Sequence, residues 1–176
     1  MLSYKESLEI LKETNALLEG HFILSSGLHS PQYVQCAQLL SKPHKAEKLC
    51  LSLAEKIKKE FSNIDLILSP AMGGIVIGYE IGRILKIETI FAERVNNSFR
   101  LRRGFNIKEK ANVLIVEDVI TTGKSSLEAS RLVEESNANI VGYACIIDRS
   151  NKRSKINKNI VCQIELQIPS YEEKDI

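Results

Sequence analysis

The fold of this chain is decided by residues 113–126, which read Val113-Leu114-Ile115-Val116-Glu117-Asp118-Val119-Ile120-Thr121-Thr122-Gly123-Lys124-Ser125-Ser126. The opening apolar run, rich in β-branched residues, has the length and composition of a buried strand. It ends in two acids, small hydroxyl residues and a glycine follow, and the next stretch has the pattern of a helix. This order predicts a loop at the carboxyl end of a strand and at the N-terminus of a helix.

The predicted loop has the features of an anion site. Backbone amides and the positive end of the helix dipole favour negative charge there, and Gly123 lets the backbone close around a phosphate. Glu117 and Asp118 would repel a simple phosphate. They indicate a ligand that also carries a sugar diol and a magnesium ion, or a reaction in which positive charge develops on the sugar. Further hydroxyl donors come from Thr121, Thr122, Ser125 and Ser126.

Two other interpretations compete with a sugar-phosphate site. The tripeptide Gly123-Lys124-Ser125 matches the end of the P-loop motif, but that motif needs a glycine at the position held by Asp118. The P-loop interpretation therefore fails. The remaining alternative is a capped strand-to-helix turn without a ligand, and it leaves the coincidence of so many polar features unexplained.

Composition narrows the class of protein. The 176 residues, with 44% hydrophobic content, suffice for one core, so a single domain over residues 1–176 is expected. A net charge of +2 does not indicate binding to nucleic acid. No apolar stretch approaches the ~18 residues of a membrane span. Four cysteines without a CxxC pair indicate reduced thiols. We therefore expect a cytoplasmic protein without nucleic-acid or membrane partners.

Strand-like and helix-like segments alternate along the chain, with amphipathic helices between apolar strands. This alternation predicts an α/β fold with a parallel sheet wrapped by helices, in which ligands bind beyond the carboxyl ends of the strands. The core strands are predicted at 65–68, 88–92, 113–116 and 140–147. The predicted carboxyl edge carries the loops 69–74, 93–104 and 117–125, together with Arg149.

The 113–126 stretch resembles the phosphoribosyl pyrophosphate (PRPP) motif of type I phosphoribosyltransferases, which joins an apolar strand, two acids and a Thr/Gly-rich turn. Other segments narrow the resemblance to orotate phosphoribosyltransferases and span about residues 20–150. The N-terminal segments are similar to the hood of that family, and Asp148-Arg149-Ser150 resembles the end of its fourth strand. The matching segments are 20–27, 29–33, 69–74, 91–94, 101–105 and 148–150.

This resemblance implies a phosphoribosyltransferase core of about residues 41–150, with a small hood from about 1–40 plus the C-terminal strand. It implies transfer of ribose 5-phosphate from PRPP to orotate, giving orotidine 5′-monophosphate and pyrophosphate in UMP biosynthesis. Mg²⁺ would arrive with PRPP, held by its phosphates and not by a metal site that the protein builds. The resemblance also implies a homodimer that shares its arginine loop between subunits.

The resemblance assigns roles to particular residues. Glu117 and Asp118 would hold the ribose hydroxyls and favour an oxocarbenium-like transition state. Thr121 and Arg149 would contact orotate, whose carboxylate needs a fixed guanidinium. The residues implied for PRPP are Met72, Gly73, Arg94, Glu117, Asp118, Val119, Ile120, Thr121, Thr122, Gly123, Lys124 and Ser125.

The chain departs from the better-known family pattern after Arg94. Many relatives carry a mobile loop there that is rich in lysine and contains a histidine, whereas residues 95–103 of this chain contain neither. Our hypothesis is that arginines replace them, with Arg102 and Arg103 as catalytic groups and Arg100 beside them. A solvated basic turn is the competing interpretation.

Two rival functions are compatible with the PRPP motif. A phosphoribosyltransferase for adenine, hypoxanthine or uracil would use the same chemistry, but those bases lack a carboxylate and would not need Arg149. A regulator that senses PRPP and binds nucleic acid would show a basic face or an added DNA-binding domain. The sequence predicts neither at a net charge of +2.

Overall fold

The computed structural model of the protein describes residues 1–175. Within them the chain forms five α-helices and two sheets, one of two strands and one of six. The helices are α1 (Tyr4–Glu13), α2 (Cys36–Leu40), α3 (Pro43–Glu60), α4 (Gly73–Leu85) and α5 (Lys124–Glu135). The strands are β1 (Leu17–Ile23), β2 (His29–Val34), β3 (Leu66–Pro70), β4 (Thr89–Val95), β5 (Ser98–Leu101), β6 (Asn112–Ile120), β7 (Asn139–Asp148) and β8 (Ile160–Glu165).

A mostly parallel sheet forms the centre of the molecule, which confirms the predicted α/β fold. Its strand order is β5-β4-β3-β6-β7-β8, and its neighbouring strands are parallel except for the antiparallel pair β4–β5. The middle strand β6 is buried on both faces, with Leu114 and Val116 in one core and Val113 and Ile115 in the other. A strand covered on both sides needs apolar residues at every position, which is why its sequence does not alternate.

Helices cover both faces of this sheet. Helices α1 to α4 pack on one face, where Leu53 of α3 and Ile77 of α4 are fully buried. On the other face, Val133 of α5 and Phe99 of β5 belong to the second core. Because both faces are covered, the loops at the strand ends are the part of the sheet open to a ligand. Among the described residues, no helix is both long and apolar enough to cross a bilayer.

The N-terminal residues expected to form the hood contain a two-stranded antiparallel sheet, in which β1 pairs with β2. Its β2 strand is tied to the C-terminal segment, because His29 and Tyr171 exchange two backbone hydrogen bonds of 2.8 Å. The family resemblance implies that the C-terminal strand belongs to this hood. The structure differs, since β8 pairs with β7 in the central sheet and the contact with the hood comes after β8.

The structure departs most from the sequence prediction at the end of β6 and in the segment after β4. Strand β6 continues through Glu117 and Asp118 to Ile120, because its ladder with β7 continues that far. The polar loop predicted after β4 contains a β-hairpin that adds β5 to the sheet edge. Asn96 and Asn97 form its turn with positive φ angles of 51° and 65°, the geometry of a type I′ turn.

Candidate active site

The carboxyl edge of the parallel sheet gathers the segments predicted to form the site. Strands β3, β4, β6 and β7 are parallel neighbours, so their carboxyl ends lie at one edge. The β3–α4 turn, the β4–β5 hairpin, the β6–α5 turn and the residue after β7 all start there. This shared edge explains how segments distant in sequence come together.

The β6–α5 turn, residues 121–125, is called the phosphate turn below. Gly123 is the N-cap of α5 with a φ of 79°, a conformation that favours glycine. Thr122 Oγ1 accepts a hydrogen bond from Lys124 N at 3.3 Å. Gly123 itself has no side chain to cap the helix. The first amides of α5 and the dipole of this twelve-residue helix therefore favour an anion at the turn.

The loop after β7 closes over the phosphate turn. Lys155 N donates to Thr122 O at 3.4 Å, and a Cβ added at Gly123 would lie 2.9 Å from the Ile156 side chain. A side chain at position 123 would therefore meet both backbone strain and a steric clash. The neighbouring charged side chains of this loop, all exposed, belong to Lys152, Arg153, Lys155 and Lys158.

The two acids are largely buried beside this turn. Burial raises the pKa of Glu117 to about 7, and the charge of Asp118 adds to that rise, while a hydrogen bond from Ser126 Oγ at 2.9 Å opposes it. Burial also raises the pKa of Asp118, although Val119 N donates to its Oδ1 at 2.8 Å. Ser126 was expected to donate to an anion, and instead it is buried and donates to Glu117.

The β3–α4 turn approaches Asp118 closely. A Cβ at Gly73 would lie 2.8 Å from Asp118 Oδ2, so any larger residue would displace the carboxylate. Met72 lies beside it and is 84% exposed. These residues and Val76 line a groove of about 380 Å³ against the hood segment. The groove is completed by Gln35, Ala37, Leu40 and Ser41.

Arg94 lies on β4 and contacts α5. Its Nη2 is 2.7 Å from Glu128 Oε2, and its Cζ is 4.3 Å from the centre of the Phe99 ring. Its Nη1 donates to Asn97 O at 3.4 Å. Arg94 thus pairs with a residue of α5 one helical turn after Lys124, and its charge lowers the pKa of Glu117 against the effect of burial.

The arginines predicted as catalytic are held by one acid. Arg103 makes a two-point pair with Glu93, with Nε–Oε2 and Nη2–Oε1 distances of 2.9 Å and 3.0 Å. Arg102 Nη1 lies 3.9 Å from the same carboxylate. Arg100 is exposed and, among residues 1–175, forms no ion pair within 4.0 Å. Two of the three arginines of the basic turn are therefore paired with Glu93 in the ligand-free chain.

Arg149 follows β7 and reaches the end of β6. Its backbone N donates to Ile120 O at 2.8 Å, which places it next to Thr121 at the start of the phosphate turn. The side chain of Ile120 packs in the core, so only its backbone can serve a ligand. Burial lowers the pKa of Arg149, and no acceptor in residues 1–175 meets its buried Nε. A half-buried guanidinium of this kind suits a carboxylate ligand.

Strands β7 and β8 also bring together three possible metal ligands. One ligand atom from each of Asp148, Cys162 and Glu165 lies within 4.8 Å of the others. The sequence does not predict this grouping, because the residues come from two strands. Asp148 Oδ1 already accepts a hydrogen bond from Ser150 N at 2.8 Å, so this carboxylate shapes the turn before Arg149.

The acids that pair with Arg94 and Arg103, Glu128 and Glu93, were not predicted from the sequence. Glu128 has a readable signal, since it lies four residues after Lys124 on the same helix face, the spacing of a helical ion pair. Glu93 has no such signal in the sequence, because it contacts Arg103 across a hairpin that was not predicted. The same holds for the bond between Ser126 and Glu117, which joins a helix to a strand.

Comparison with known proteins gives consistent matches. Residues 35–173 match the phosphoribosyl transferase domain family. An orotate phosphoribosyltransferase of Erythrobacter litoralis is 42% identical over 173 residues, which cover 98% of this chain and 90% of that protein. The crystal structure of orotate phosphoribosyltransferase from Aeropyrum pernix has a TM-score of 0.75 at 20% identity, covering 90% of this chain and 93% of the other. The crystal structure of adenine phosphoribosyltransferase from Saccharomyces cerevisiae has a TM-score of 0.73 at 22% identity. The match covers 89% of this chain and 99% of the other.

Proposed function

The chain belongs to the phosphoribosyltransferase family, in its orotate phosphoribosyltransferase branch, and from this membership we propose that it transfers ribose 5-phosphate from PRPP to orotate. The products are orotidine 5′-monophosphate and pyrophosphate. One observation carries the choice of base: Arg149 is half-buried, its Nε has no acceptor in residues 1–175, and it adjoins the phosphate turn. Orotate offers such a guanidinium a carboxylate, and adenine, hypoxanthine and uracil do not.

Three groups of residues each bind a different part of PRPP. The amides and hydroxyls of the phosphate turn hold the 5′-phosphate, supported by the N-terminus of α5. Glu117 and Asp118 hold the ribose hydroxyls. Arg94 and the backbone of Met72 and Gly73 hold the pyrophosphate. This division follows the order of the elements along the carboxyl edge, from β6 through β3 to β4.

The two acids also act on the transition state. Orotate N1 attacks the anomeric carbon of the ribose while the bond to pyrophosphate breaks, so positive charge develops on the sugar. The carboxylates of Glu117 and Asp118 favour that charge electrostatically, and their burial strengthens the effect because little water screens them. No covalent intermediate with the protein is needed.

Magnesium is proposed to enter as part of the substrate. The donor set fits this role, because Glu117 and Asp118 present carboxylate oxygens, the ligands that Mg²⁺ prefers, beside the phosphate turn. When bound to PRPP, the ion would neutralise charge on the departing pyrophosphate. The phosphates of PRPP and water would hold the ion, while Glu117 and Asp118, which hold the ribose hydroxyls, add negative charge beside it.

Orotate is proposed to bind between Arg149 and Thr121. A guanidinium can bind a carboxylate through two parallel hydrogen bonds, which fixes the orientation of the ring as well as its position. Thr121 directly follows the Ile120 carbonyl that anchors Arg149 N. The base and the 5′-phosphate are thereby fixed by adjacent parts of one backbone segment.

The active unit is proposed to be a cytoplasmic homodimer in which the arginine loop is shared between subunits. An exposed apolar stripe on α4 supports the dimer, with Met72, Val76 and Tyr79 spaced four and three residues apart on one helix face. A cytoplasmic location agrees with four cysteines that are all free thiols. It also agrees with PRPP, a highly charged substrate that does not cross membranes.

An ultraviolet assay with PRPP, Mg²⁺ and orotate tests the proposed function. Orotate absorbance should fall only when both PRPP and Mg²⁺ are present, and adenine, hypoxanthine and uracil should not react in parallel assays. Turnover of another base would overturn the role of Arg149. Binding of PRPP without turnover of any base would favour the PRPP-sensing regulator.

A further inference from the structure

An open groove of about 740 Å³ lies where the β4–β5 hairpin meets α5, and Glu128 is one of its lining residues. The Glu128 side chain is 20% exposed and contacts two cations. One carboxylate oxygen lies 2.7 Å from Arg94 Nη2, and the other lies 4.0 Å from Lys124 Nζ. Lys124 begins α5 in the phosphate turn, whereas Arg94 lies on β4. Glu128 therefore links the cation of the hairpin to the helix that holds the 5′-phosphate.

Three contacts fix the guanidinium of Arg94. Glu128 Oε2, which is buried and accepts no hydrogen bond within residues 1–175, forms an ion pair with Nη2, the Asn97 carbonyl accepts from Nη1 at 3.4 Å, and the Phe99 ring lies 4.3 Å from Cζ. Phe99 is the direct partner of Arg94 in the β4–β5 ladder, so the register of the hairpin sets this stacking. An arginine has five N–H donors, and the side chain remains 41% exposed. Donors not used in these contacts can therefore reach an anion.

We propose that Glu128 is a positioning residue that orients Arg94 towards the pyrophosphate group of PRPP. This inference rests on the proposed function, from which it takes the role of Arg94. A carboxylate of low exposure holds a guanidinium more firmly than a solvated one, because water and salt screen the pair less. Without Glu128, Arg94 would keep its charge and lose its fixed direction.

Glu128→Gln tests the proposal, because glutamine keeps the size of the side chain and removes its charge. We expect the KM for PRPP to rise about tenfold, with kcat changed less than about threefold and the KM for orotate unchanged. Glu134→Gln is the matched control, since Glu134 is exposed on the same helix. That variant should behave as wild type. A lower KM for PRPP in Glu128→Gln would overturn the proposal, because it would mean that Glu128 competes with pyrophosphate for Arg94.

A double-mutant cycle with Arg94→Ala separates positioning from packing. If Glu128 acts through Arg94, Glu128→Gln should have no further effect on the KM for PRPP in the Arg94→Ala background. An equal effect in both backgrounds would overturn the proposal, since it would show that Glu128 only packs the hairpin against α5. Thermal unfolding of each variant, with Glu128→Asp as a carboxylate-retaining alternative, distinguishes loss of fold from loss of positioning.

Binding of inorganic pyrophosphate with Mg²⁺, measured by calorimetry, keeps this test independent of the base. Wild-type protein should bind pyrophosphate about tenfold more tightly than Glu128→Gln, and the difference should vanish in the Arg94→Ala background. If orotate does not react but this pattern holds, the proposed function fails and the role of Glu128 stands. If orotate reacts and the pattern is absent, the role of Glu128 fails and the function stands.

Discussion

At the scale of single residues, the site concentrates buried charge. Glu117, Asp118 and Arg149 are each shifted in pKa by burial towards the neutral form. Burying a charge without a full set of partners costs stability, and folds retain such groups where a ligand supplies the missing partner. The ribose, the developing sugar cation and the orotate carboxylate are suitable partners for these three groups.

The pH dependence of catalysis should reflect the ionisation of Glu117. Its carboxyl has a pKa of about 7, so below that pH the proton removes the charge that favours the sugar cation. We expect kcat/KM for PRPP to rise with pH through about 7 and the inflection to disappear in Glu117→Gln. Initial rates between about pH 6 and 8 measure this. A wild-type profile that is flat over that range would contradict the assignment.

The same shift predicts a change in stability with pH. The pKa of Glu117 in the folded chain lies above its ordinary value of 4.5, so the unfolded chain releases this proton first as pH rises. The free energy of unfolding should therefore fall from about pH 4.5 to about pH 7. In Glu117→Gln this part of the fall should be absent. Urea unfolding of both proteins across that range measures the difference, and parallel curves would show that Glu117 does not contribute.

Arg149 should determine affinity for orotate. Replacing it with alanine removes a charged hydrogen-bonding partner worth about 1.5–3 kcal/mol, so the KM for orotate should rise roughly tenfold to 150-fold. Arg149→Lys should recover only part of this loss, because lysine cannot form two parallel bonds. The KM for PRPP serves as the control and should change little. An unchanged KM for orotate would favour a base without a carboxylate.

At the scale of elements, the β4–β5 hairpin replaces the loop that the sequence suggested. Its Asn96-Asn97 turn fixes the register, and the register places Arg94 opposite Phe99. Two acids then hold its cations, Glu128 from α5 and Glu93 from within the hairpin. The positive charge of Arg94, Arg102 and Arg103 is therefore organised by ion pairs with these two acids.

Replacing Arg102 and Arg103 with alanine should reduce turnover about tenfold or more, if they stabilise the departing pyrophosphate. Their pairing with Glu93 in the ligand-free chain means that pyrophosphate must compete with that carboxylate. Steady-state kcat measures the effect, and Lys5→Ala, an exposed change on α1, is the control. Unchanged kinetics would show that the two arginines are a structural turn and would leave Arg94 as the cation for pyrophosphate.

At the scale of the whole molecule, the exposed face of α4 is the feature that a single chain does not explain. Met72, Val76 and Tyr79 are 84%, 53% and 68% exposed, although their spacing forms one apolar stripe. Such stripes lie in contact surfaces more often than in solvent. A two-fold pairing of α4 with its copy would cover the stripe and bring two sites close together.

Tyr79→Glu should separate this dimer. Light scattering of the wild type should give twice the chain mass of 19.8 kDa, and the variant should give the mass of one chain. If the interface formed in this variant, the carboxylate at position 79 would be buried without a partner, which would destabilise the dimer. Tyr4→Glu, on the exposed face of α1, is the control and should remain dimeric. A dimeric Tyr79→Glu protein would place the interface elsewhere.

The core strands and the place of the candidate site could be predicted from local sequence patterns. The apolar run at 113–116, the acids after it and Gly123 each act through neighbours a few residues away, and local chemistry of this kind is readable in the chain. Because ligands bind at the carboxyl ends of parallel strands, the loops after these strands could be predicted to form one site.

Which charges are paired, buried or left without an acceptor could not be predicted from the sequence, because it depends on contacts between elements. The pairs Glu93 with Arg103 and Glu128 with Arg94 join different elements, and no local spacing encodes either contact. The burial that moves the pKa of Glu117 depends on everything packed around it. Electrostatic energy depends on distance and solvent access, and both are set when the chain folds.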